Sequence, residues 1–276
     1  MFLFVCCNDF EEVNTNPDTT TKVTSAMLAT NLLRDIATDN NGDGKGFIRE
    51  DLLGKYLSWT EAQDIDIAFN LLGRTSFASL SNLRNASKMV EYAQSEKLKN
   101  SYAAFAHFVR VFVFFDMTMR VGDIPYSEAL KGENEKNYFP KYDTQKDVFI
   151  GLLEELDEAD YLFSVGDNFE GDYIYGGDVT KWRKAVNSLQ LKILLNLYRK
   201  VDDVDLNVKE RINEIVENRP LFESNDDNFQ IVYSNSAGQK YPFFKEINSF
   251  TNNDRLTNII AVSYTHLRAH ETDQYL

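Results

Sequence analysis

Apolar residues recur with a helical period along most of this 276-residue chain. In residues 23–38 they fall at positions 23, 27, 28, 32, 33 and 36, a spacing that places them on one face of a helix. The same rule predicts helices over 52–72, 76–93, 100–119 and 208–217, and two more that begin after Thr144 and Asp178. Only Phe229–Tyr233 has the pattern of a strand. The sequence therefore predicts an all-α protein with minor β structure, either a bundle or a helical-repeat solenoid.

Local signals refine this prediction. Thr144, with Asp147 three residues later, is typical of a capping box, and Asp178 is a second N-cap candidate. Trp182 lies at helical spacing from Val186 and Leu189, which indicates a core position. Acidic residues between the apolar positions of the helix after Thr144 are expected on its solvent face; they are Glu154, Glu155, Asp157, Glu158 and Asp160.

Composition and charge narrow the function. The chain is 43% hydrophobic and 26% charged, which is typical of a globular protein. Its net charge of −14 disfavours nucleic acid, because phosphates are bound through Lys and Arg, and it disfavours a polybasic membrane-surface patch. We find no run of about 18 apolar residues, so no membrane-spanning helix is expected.

The N-terminus has the pattern of a processing signal. Met1–Val5 are apolar, Cys6 and Cys7 follow directly, and polar residues begin at Asn8. This order is typical of the end of a lipoprotein signal peptide, so residues 1–6 are expected to be its remnant and Cys7 the lipidated residue. More than one acyl chain would anchor the protein stably. The alternative is a buried first helix that carries two free thiols.

The last fifteen residues, 262–276, break the helical pattern and are expected to be a non-native, adaptor-like tail, which leaves 7–261 as the domain. Without that tail His107 is the remaining histidine. The chain therefore has few of the His and Cys residues that nucleophilic catalysts and metal hydrolases require. A non-enzyme is therefore expected. A carbohydrate-active enzyme remains an alternative, because carboxylate pairs are plentiful.

One segment matches a calcium-binding loop. Residues 39–50 satisfy the EF-hand spacing D-x-[DN]-x-[DN]-G-x5-E and lie between predicted helices. Oxygen ligands at loop positions 1, 3, 5, 7 and 12 suit Ca²⁺. The alternative is a plain turn rich in Gly, Asn and Asp, because Gly46 occupies a position usually apolar and no second loop is present. The candidate ligands are Asp39, Asn41, Asp43, the carbonyl of Lys45 and Glu50.

Aromatic residues make up 13% of the chain, and most Phe are expected in the core. Tyr and Trp at loops or helix ends can stack on the C–H faces of sugars. Tyr56 and Trp59 are the preferred pair, since a spacing of three places both on one face of the predicted helix 52–72. Packing between helices is the alternative for each. Further candidates are Tyr138, Tyr173, Tyr175 and Tyr241.

Five segments in order resemble the SusD/RagB family of nutrient-binding outer-membrane lipoproteins, over residues 7 to 260. They are residues 7–17 after the lipid site, 122–129, 140–145 leading into 152–159, 177–182 leading into 185–189, and 224–228.

The resemblance implies a right-handed scaffold of tetratricopeptide-like helix pairs with long loops. It also implies a surface-exposed outer-membrane lipoprotein that delivers glycans or other nutrient oligomers to a SusC-like TonB-dependent transporter. Family members are roughly twice as long, so this chain corresponds to the N-terminal half. A calcium-dependent helical binding module, resting on residues 39–50, is the alternative function.

The calcium hypothesis makes a direct prediction. If residues 39–50 bind Ca²⁺, the ion should raise the melting temperature by mass action on the folded state. Glu50→Gln should abolish that rise, because it removes the bidentate carboxylate. Thermal melts with Ca²⁺ and with chelator provide the measurement, and identical melting of the unaltered protein in both would favour a plain turn.

Overall fold

The structure is a computed structural model that describes residues 22–37, 53–59, 76–237, 239–240 and 254–256. Within these residues the chain forms seven α-helices and two short strands. The helices are α1 (Ser25–Ala37), α2 (Arg84–Glu91), α3 (Glu96–Val121), α4 (Gly132–Glu135), α5 (Gln145–Val165), α6 (Val179–Asn196) and α7 (Val208–Asn218). The strands are β1 (Leu57–Trp59) and β2 (Asp254–Leu256).

The chain divides into two compact units. The first contains Met1–Leu33, Leu83–Val111 and Phe149–Asp227; the second contains Arg34–Asn82, Phe112–Val148 and Asn228–Leu276. The first unit therefore includes α2, α6, α7, most of α1 and part of α3 and α5. The second includes α4, both strands and the remaining parts of α1, α3 and α5.

Trp182 on α6 is the centre of the first unit's core and is fully buried. Its ring meets Phe105 and Phe108 of α3 at centroid distances of 5.1 Å each, and Phe163 of α5 at 6.0 Å. Tyr175 approaches edge-on at 5.2 Å. These contacts join three helices around one indole, and they confirm the core position predicted from helical spacing.

The acidic residues of α5 are less solvated than the sequence suggested. Asp160 is buried and forms a two-point ion pair with Arg183 of α6, with N···O distances of 2.9 and 3.1 Å. Asp157 accepts hydrogen bonds from Arg211 and Arg219 at 2.8 and 2.7 Å. The prediction of a fully solvated acidic face was therefore wrong for these two residues, because helices that pack against α5 bring guanidinium groups to them.

Glu155 of α5 is likewise paired with basic side chains, in this case on α3. Its carboxylate accepts a hydrogen bond from Arg110 at 2.8 Å and lies 3.0 Å from the Nδ1 atom of His107. His107 is therefore bonded within the packing of α3 against α5.

Both predicted helix caps are confirmed. The Thr144 hydroxyl oxygen accepts a hydrogen bond from the Asp147 backbone N–H at 3.2 Å and donates to the Asp147 carboxylate at 2.7 Å. Asp178 accepts hydrogen bonds from the backbone N–H groups of Thr180 and Lys181. Each cap satisfies N–H groups that the first turn of a helix leaves without partners.

Three element predictions need correction. The predicted helix over 52–72 is wrong at Leu57–Trp59, because these residues form β1, which pairs antiparallel with β2. The helix over 76–93 is divided into a 3₁₀ turn at Ala78–Ser81 and α2. Residues 229–233 form no strand, although their sequence favours one. A strand requires a partner for its N–H and C=O groups, and local pattern does not supply that partner.

Helix α3 is long and rich in apolar residues. By length and composition it is the one described helix that could cross a membrane, although its apolar residues are interrupted by Arg110 and Asp116. However, 56% of its apolar window is buried inside the protein, as expected for a core helix. Together these elements confirm the all-α class with minor β structure.

The turn before α6 depends on glycine at two adjacent positions. Gly176 and Gly177 have φ angles of +66° and +77°, a region that favours glycine. A Cβ on Gly176 would meet open space, whereas a Cβ on Gly177 would lie 1.7 Å from the carbonyl oxygen of Phe169. The carboxylate of Asp172 completes the turn by accepting from the Gly177 N–H and the Trp182 indole N–H, at 2.9 and 2.8 Å.

This pair of glycines provides a matched stability test. Gly176→Ala should cost about 1–2 kcal/mol, because only the left-handed backbone opposes it. Gly177→Ala should cost about 1–3 kcal/mol more, because its methyl group also displaces the Phe169 backbone. Urea unfolding of the two variants measures the difference. Equal losses would contradict the close approach of the two chain segments.

Candidate functional site

Two sets of predicted site residues lie outside the described part of the chain. They are the lipidation candidate Cys7 and the calcium loop with Asp39, Asn41, Asp43, Lys45 and Glu50. The stacking candidate Tyr241 also lies outside it. Among the described residues, no group of three or more His, Cys, Asp and Glu side chains could hold a metal ion.

The pairing of Tyr56 with Trp59 rested on a helix that does not form there. Trp59 is the last residue of β1, and Tyr56 precedes that strand. A spacing of three places two residues on one face only within a helix, so that argument does not apply at these positions. Tyr56 is about half exposed. The prediction that the two residues share one helix face is therefore wrong, whereas their role in ligand binding stays a prediction.

A concentrated exposed aromatic surface lies instead in the segment between α4 and α5. Tyr138, Phe139 and Tyr142 are 69%, 92% and 61% exposed, and Phe139 is the most exposed large apolar side chain in the described residues. Phe77 meets the Tyr142 ring edge-on at a centroid distance of 6.5 Å. We refer to Phe77, Tyr138, Phe139 and Tyr142 as the aromatic surface. All four residues belong to the second unit.

Local sequence explains why this segment is extended. Lys136 ends α4 in the left-handed conformation, with a φ of +54°. Pro140 restricts Phe139 to an extended backbone, because the proline ring would clash with a helical residue before it. Tyr138 packs beside Gly132, where an added Cβ would lie 3.4 Å from the tyrosine ring. The side chains are thus displayed by an ordered segment.

The carboxylate of Glu128 bonds both ends of residues 137–141. The Oε2 atom of Glu128 accepts hydrogen bonds from the Lys141 backbone N–H and from the Asn137 side-chain amide, each at 3.0 Å. The same two donors lower the pKa of Glu128, the Lys141 N–H having the larger effect. Both donors therefore bond the ionised carboxylate, and these two bonds weaken as the pH falls through that lowered pKa.

A second carboxylate holds the base of the segment. Asp143 is buried and accepts hydrogen bonds from the Ser127 and Tyr126 backbone N–H groups, at 2.7 and 3.1 Å. It also pairs with Ile124 through two backbone hydrogen bonds. Burial alone would raise the pKa of Asp143, but the bonds from Ser127 and Tyr126 outweigh it and lower the pKa.

This arrangement can bind a ligand by stacking. Exposed aromatic rings offer their faces to apolar C–H groups, and the hydroxyl groups of Tyr138 and Tyr142 can hydrogen-bond a wet ligand. Sequence reasoning identified Tyr138 but placed most Phe in the core, so it missed Phe139. The available signal was its position beside proline, between the polar residues Asn137 and Lys141.

Of the other predicted loop aromatics, one is exposed and one is buried. Tyr173 is about half exposed, as its loop position predicts. Tyr175 is buried, and its hydroxyl donates a 2.8 Å hydrogen bond to the backbone carbonyl of Asp227. Burial raises the pKa of Tyr175, with further effects from the charges of Asp172 and Asp227. The expectation that Tyr175 is a surface residue was therefore wrong.

Comparison with known proteins places the chain in one family. Residues 17–265 match the SusD-like family model described as "Starch-binding associating with outer membrane". No curated protein sequence gives a significant match. Among solved structures, a chitin-binding protein is 25% identical with a TM-score of 0.57, over 74% of this chain and 45% of that one.

Two further solved structures are more similar. A SusD homologue of Bacteroides fragilis is 40% identical with a TM-score of 0.80, over 88% of this chain and 50% of that one. An outer-membrane protein of Bacteroides vulgatus, described as involved in nutrient binding, is 33% identical with a TM-score of 0.72, over 85% and 49%. This chain thus spans about half the length of the structures it matches. It belongs to the SusD-like family of outer-membrane nutrient-binding proteins, with their tetratricopeptide-like helical fold.

Proposed function

We propose that this protein binds glycan chains at the aromatic surface and presents them for uptake across the outer membrane. The observation that carries this proposal is the display of Tyr138, Phe139 and Tyr142 on an ordered segment, all more than half exposed. Exposed aromatic side chains of this size have no role in a core. Family membership supports a nutrient ligand, and the names of relatives indicate starch and chitin as the first probes.

In the proposed mechanism the protein binds without turnover. The rings of Tyr138 and Phe139 stack on sugar faces, and the tyrosine hydroxyl groups exchange hydrogen bonds with sugar hydroxyls. The captured chain then passes to a SusC-like TonB-dependent transporter, which is the partner that the family resemblance implies. A lipid anchor at Cys7 keeps the protein at the outer cell surface beside that transporter.

The proposal for the aromatic surface predicts a loss of affinity without a loss of stability. Phe139→Ala and Tyr138→Ala should each weaken glycan binding by about 1–3 kcal/mol, by analogy with base–aromatic stacking. Their melting temperatures should barely change, because exposed side chains contribute little to folding. Calorimetric titration with maltoheptaose and chitohexaose measures the affinity, with melts in parallel.

A matched control comes from the first unit. Tyr161 on α5 is 59% exposed, comparable to Tyr142, but lies outside the aromatic surface. Tyr161→Ala should leave the affinity unchanged. Equal affinity losses in all three variants would contradict a specific site, and release of shortened glycan during the titration would overturn binding without turnover.

The anchor proposal has its own test. In a chain that carries a complete lipoprotein signal, Cys7→Ala should prevent acylation and release the protein from the membrane fraction. Cys6→Ala is the control and should leave the protein anchored, because Cys6 precedes the proposed acylation site. Fractionation with immunoblotting measures the distribution. Membrane association of the Cys7→Ala protein equal to that of the control would refute lipidation at Cys7.

A further inference from the structure

Glu128 accepts two hydrogen bonds from the segment that carries the aromatic surface. It lies between α3 and α4, near the start of the chain segment that leads to the aromatic surface. One of its oxygen atoms bonds residues four positions apart, Asn137 and Lys141, at equal distances of 3.0 Å. Between those two contacts the chain contains Tyr138, Phe139 and Pro140. The carboxylate therefore closes a short loop that displays two of the aromatic side chains.

A further hydrogen bond lies inside that loop. The side-chain oxygen of Asn137 accepts from the Phe139 backbone N–H at 3.2 Å, while its amide nitrogen donates to Glu128. Asn137 thus connects the backbone of Phe139 to the Glu128 carboxylate. Hydrogen bonds to a charged acceptor are stronger than neutral ones, so this chain of contacts restricts the loop.

The fold below the loop does not rely on Glu128. Asp143 holds the base through its bonds to Ser127 and Tyr126, and its backbone pairs with Ile124. Gln145, at the start of α5, donates its backbone N–H to Asp123 and its side-chain amide to the Thr118 carbonyl, each at 2.8 Å. Loss of the Glu128 contacts should therefore loosen residues 137–141 and leave the surrounding helices in place.

Order in the loop matters for binding because of entropy. A mobile loop must be fixed when its side chains stack on a ligand, and that cost reduces the affinity. A loop already held in the binding conformation avoids most of the cost. Two side chains that are already fixed before binding should therefore raise the affinity on the order of tenfold.

We propose that Glu128 is a positioning residue, which fixes Tyr138 and Phe139 for glycan stacking without itself contacting the ligand. The inference rests on the proposed glycan-binding function and adds a determinant of affinity that lies behind the stacking rings. It assigns the two hydrogen bonds of Glu128 a role in binding, separate from the stability of the fold.

The test uses three variants of the full chain. Glu128→Ala removes the acceptor. Glu128→Gln keeps a carbonyl oxygen that can accept the same two N–H groups, so it should restore most of the effect. Glu133→Ala is the control for charge, because Glu133 is exposed on the adjacent α4 and has no hydrogen bond or ion pair among the described residues.

Two measurements are made on each variant. Amide hydrogen exchange at Lys141 reports directly on the bond to Glu128, and it requires no ligand. Calorimetric titration with maltoheptaose and chitohexaose reports the affinity. We expect Glu128→Ala to speed exchange at Lys141 and weaken binding about tenfold, with an unchanged melting temperature. Glu128→Gln should be intermediate or normal, and Glu133→Ala normal in both measurements.

A double variant separates positioning from direct contact. If Glu128 acts through the stacking rings, Glu128→Ala should cost much less affinity when Phe139 is already alanine than in the unaltered protein. Fully additive losses would overturn the positioning role. Faster exchange at Lys141 with unchanged affinity would overturn it as well, while the glycan-binding proposal would stand.

The remaining outcomes are also decisive. Unchanged exchange at Lys141 in Glu128→Ala would show that the carboxylate does not hold the loop, whatever happens to the affinity. A lowered melting temperature with unchanged affinity would assign Glu128 to the fold alone. If the unaltered protein binds neither oligosaccharide, the proposed function fails first, and the exchange measurement still judges the hold of Glu128 on the loop.

Discussion

Carboxylates that collect N–H donors hold the irregular segments of this protein in place. In the first unit, Asp172 accepts from three backbone N–H groups and from the Trp182 indole, so one side chain ties a glycine turn to the aromatic core. In the second unit, Asp143 does the same for the chain between α3 and α5. A backbone N–H withdrawn from water needs a partner, and in each case a single acid supplies several. With 43 Asp and Glu residues, the chain has ample material for this device.

The aromatic residues form two groups, one buried around Trp182 and one exposed between α4 and α5. Around Trp182, rings pack edge-on and stacked at centroid distances of 5.1–6.3 Å and are removed from water. Between α4 and α5, hydrogen bonds to the backbone and to carboxylates fix the chain, whereas core packing fixes it around Trp182. They hold a short extended segment whose rings point to no core, and such a segment is free to meet a ligand. This is the physical basis on which the chain is proposed to bind glycans.

Ion pairs on α5 show how helix packing uses charge. Asp157 is only partly exposed, and burial alone would raise its pKa. Hydrogen bonds from Gln190, Arg219 and Arg211 outweigh that effect and lower the pKa. The charged form is therefore the stable one at neutral pH, and stability is lost as the pH falls through the lowered pKa. Three helices, α5, α6 and α7, meet at this carboxylate.

The sequence alone determined the features that depend on neighbours along the chain. Helical spacing predicted α1, α3, α5, α6 and α7, because an amphipathic pattern identifies a helix wherever its apolar face is later buried. The caps at Thr144 and Asp178 were predictable for the same reason, since a cap contacts N–H groups only two or three residues away. The family resemblance also rests on such contiguous segments.

Only the tertiary structure decided the features that depend on distant residues. Asp160 and Glu155 looked solvated because their partners, Arg183 and Arg110, lie 23 and 45 residues away. Trp59 entered a strand because β2 lies across from it, nearly 200 residues later in the chain. Phe139 is exposed because the backbone around it is bonded to Glu128 rather than packed on a core. Local pattern shows which side chains are apolar or charged, but burial and pairing depend on which parts of the chain meet.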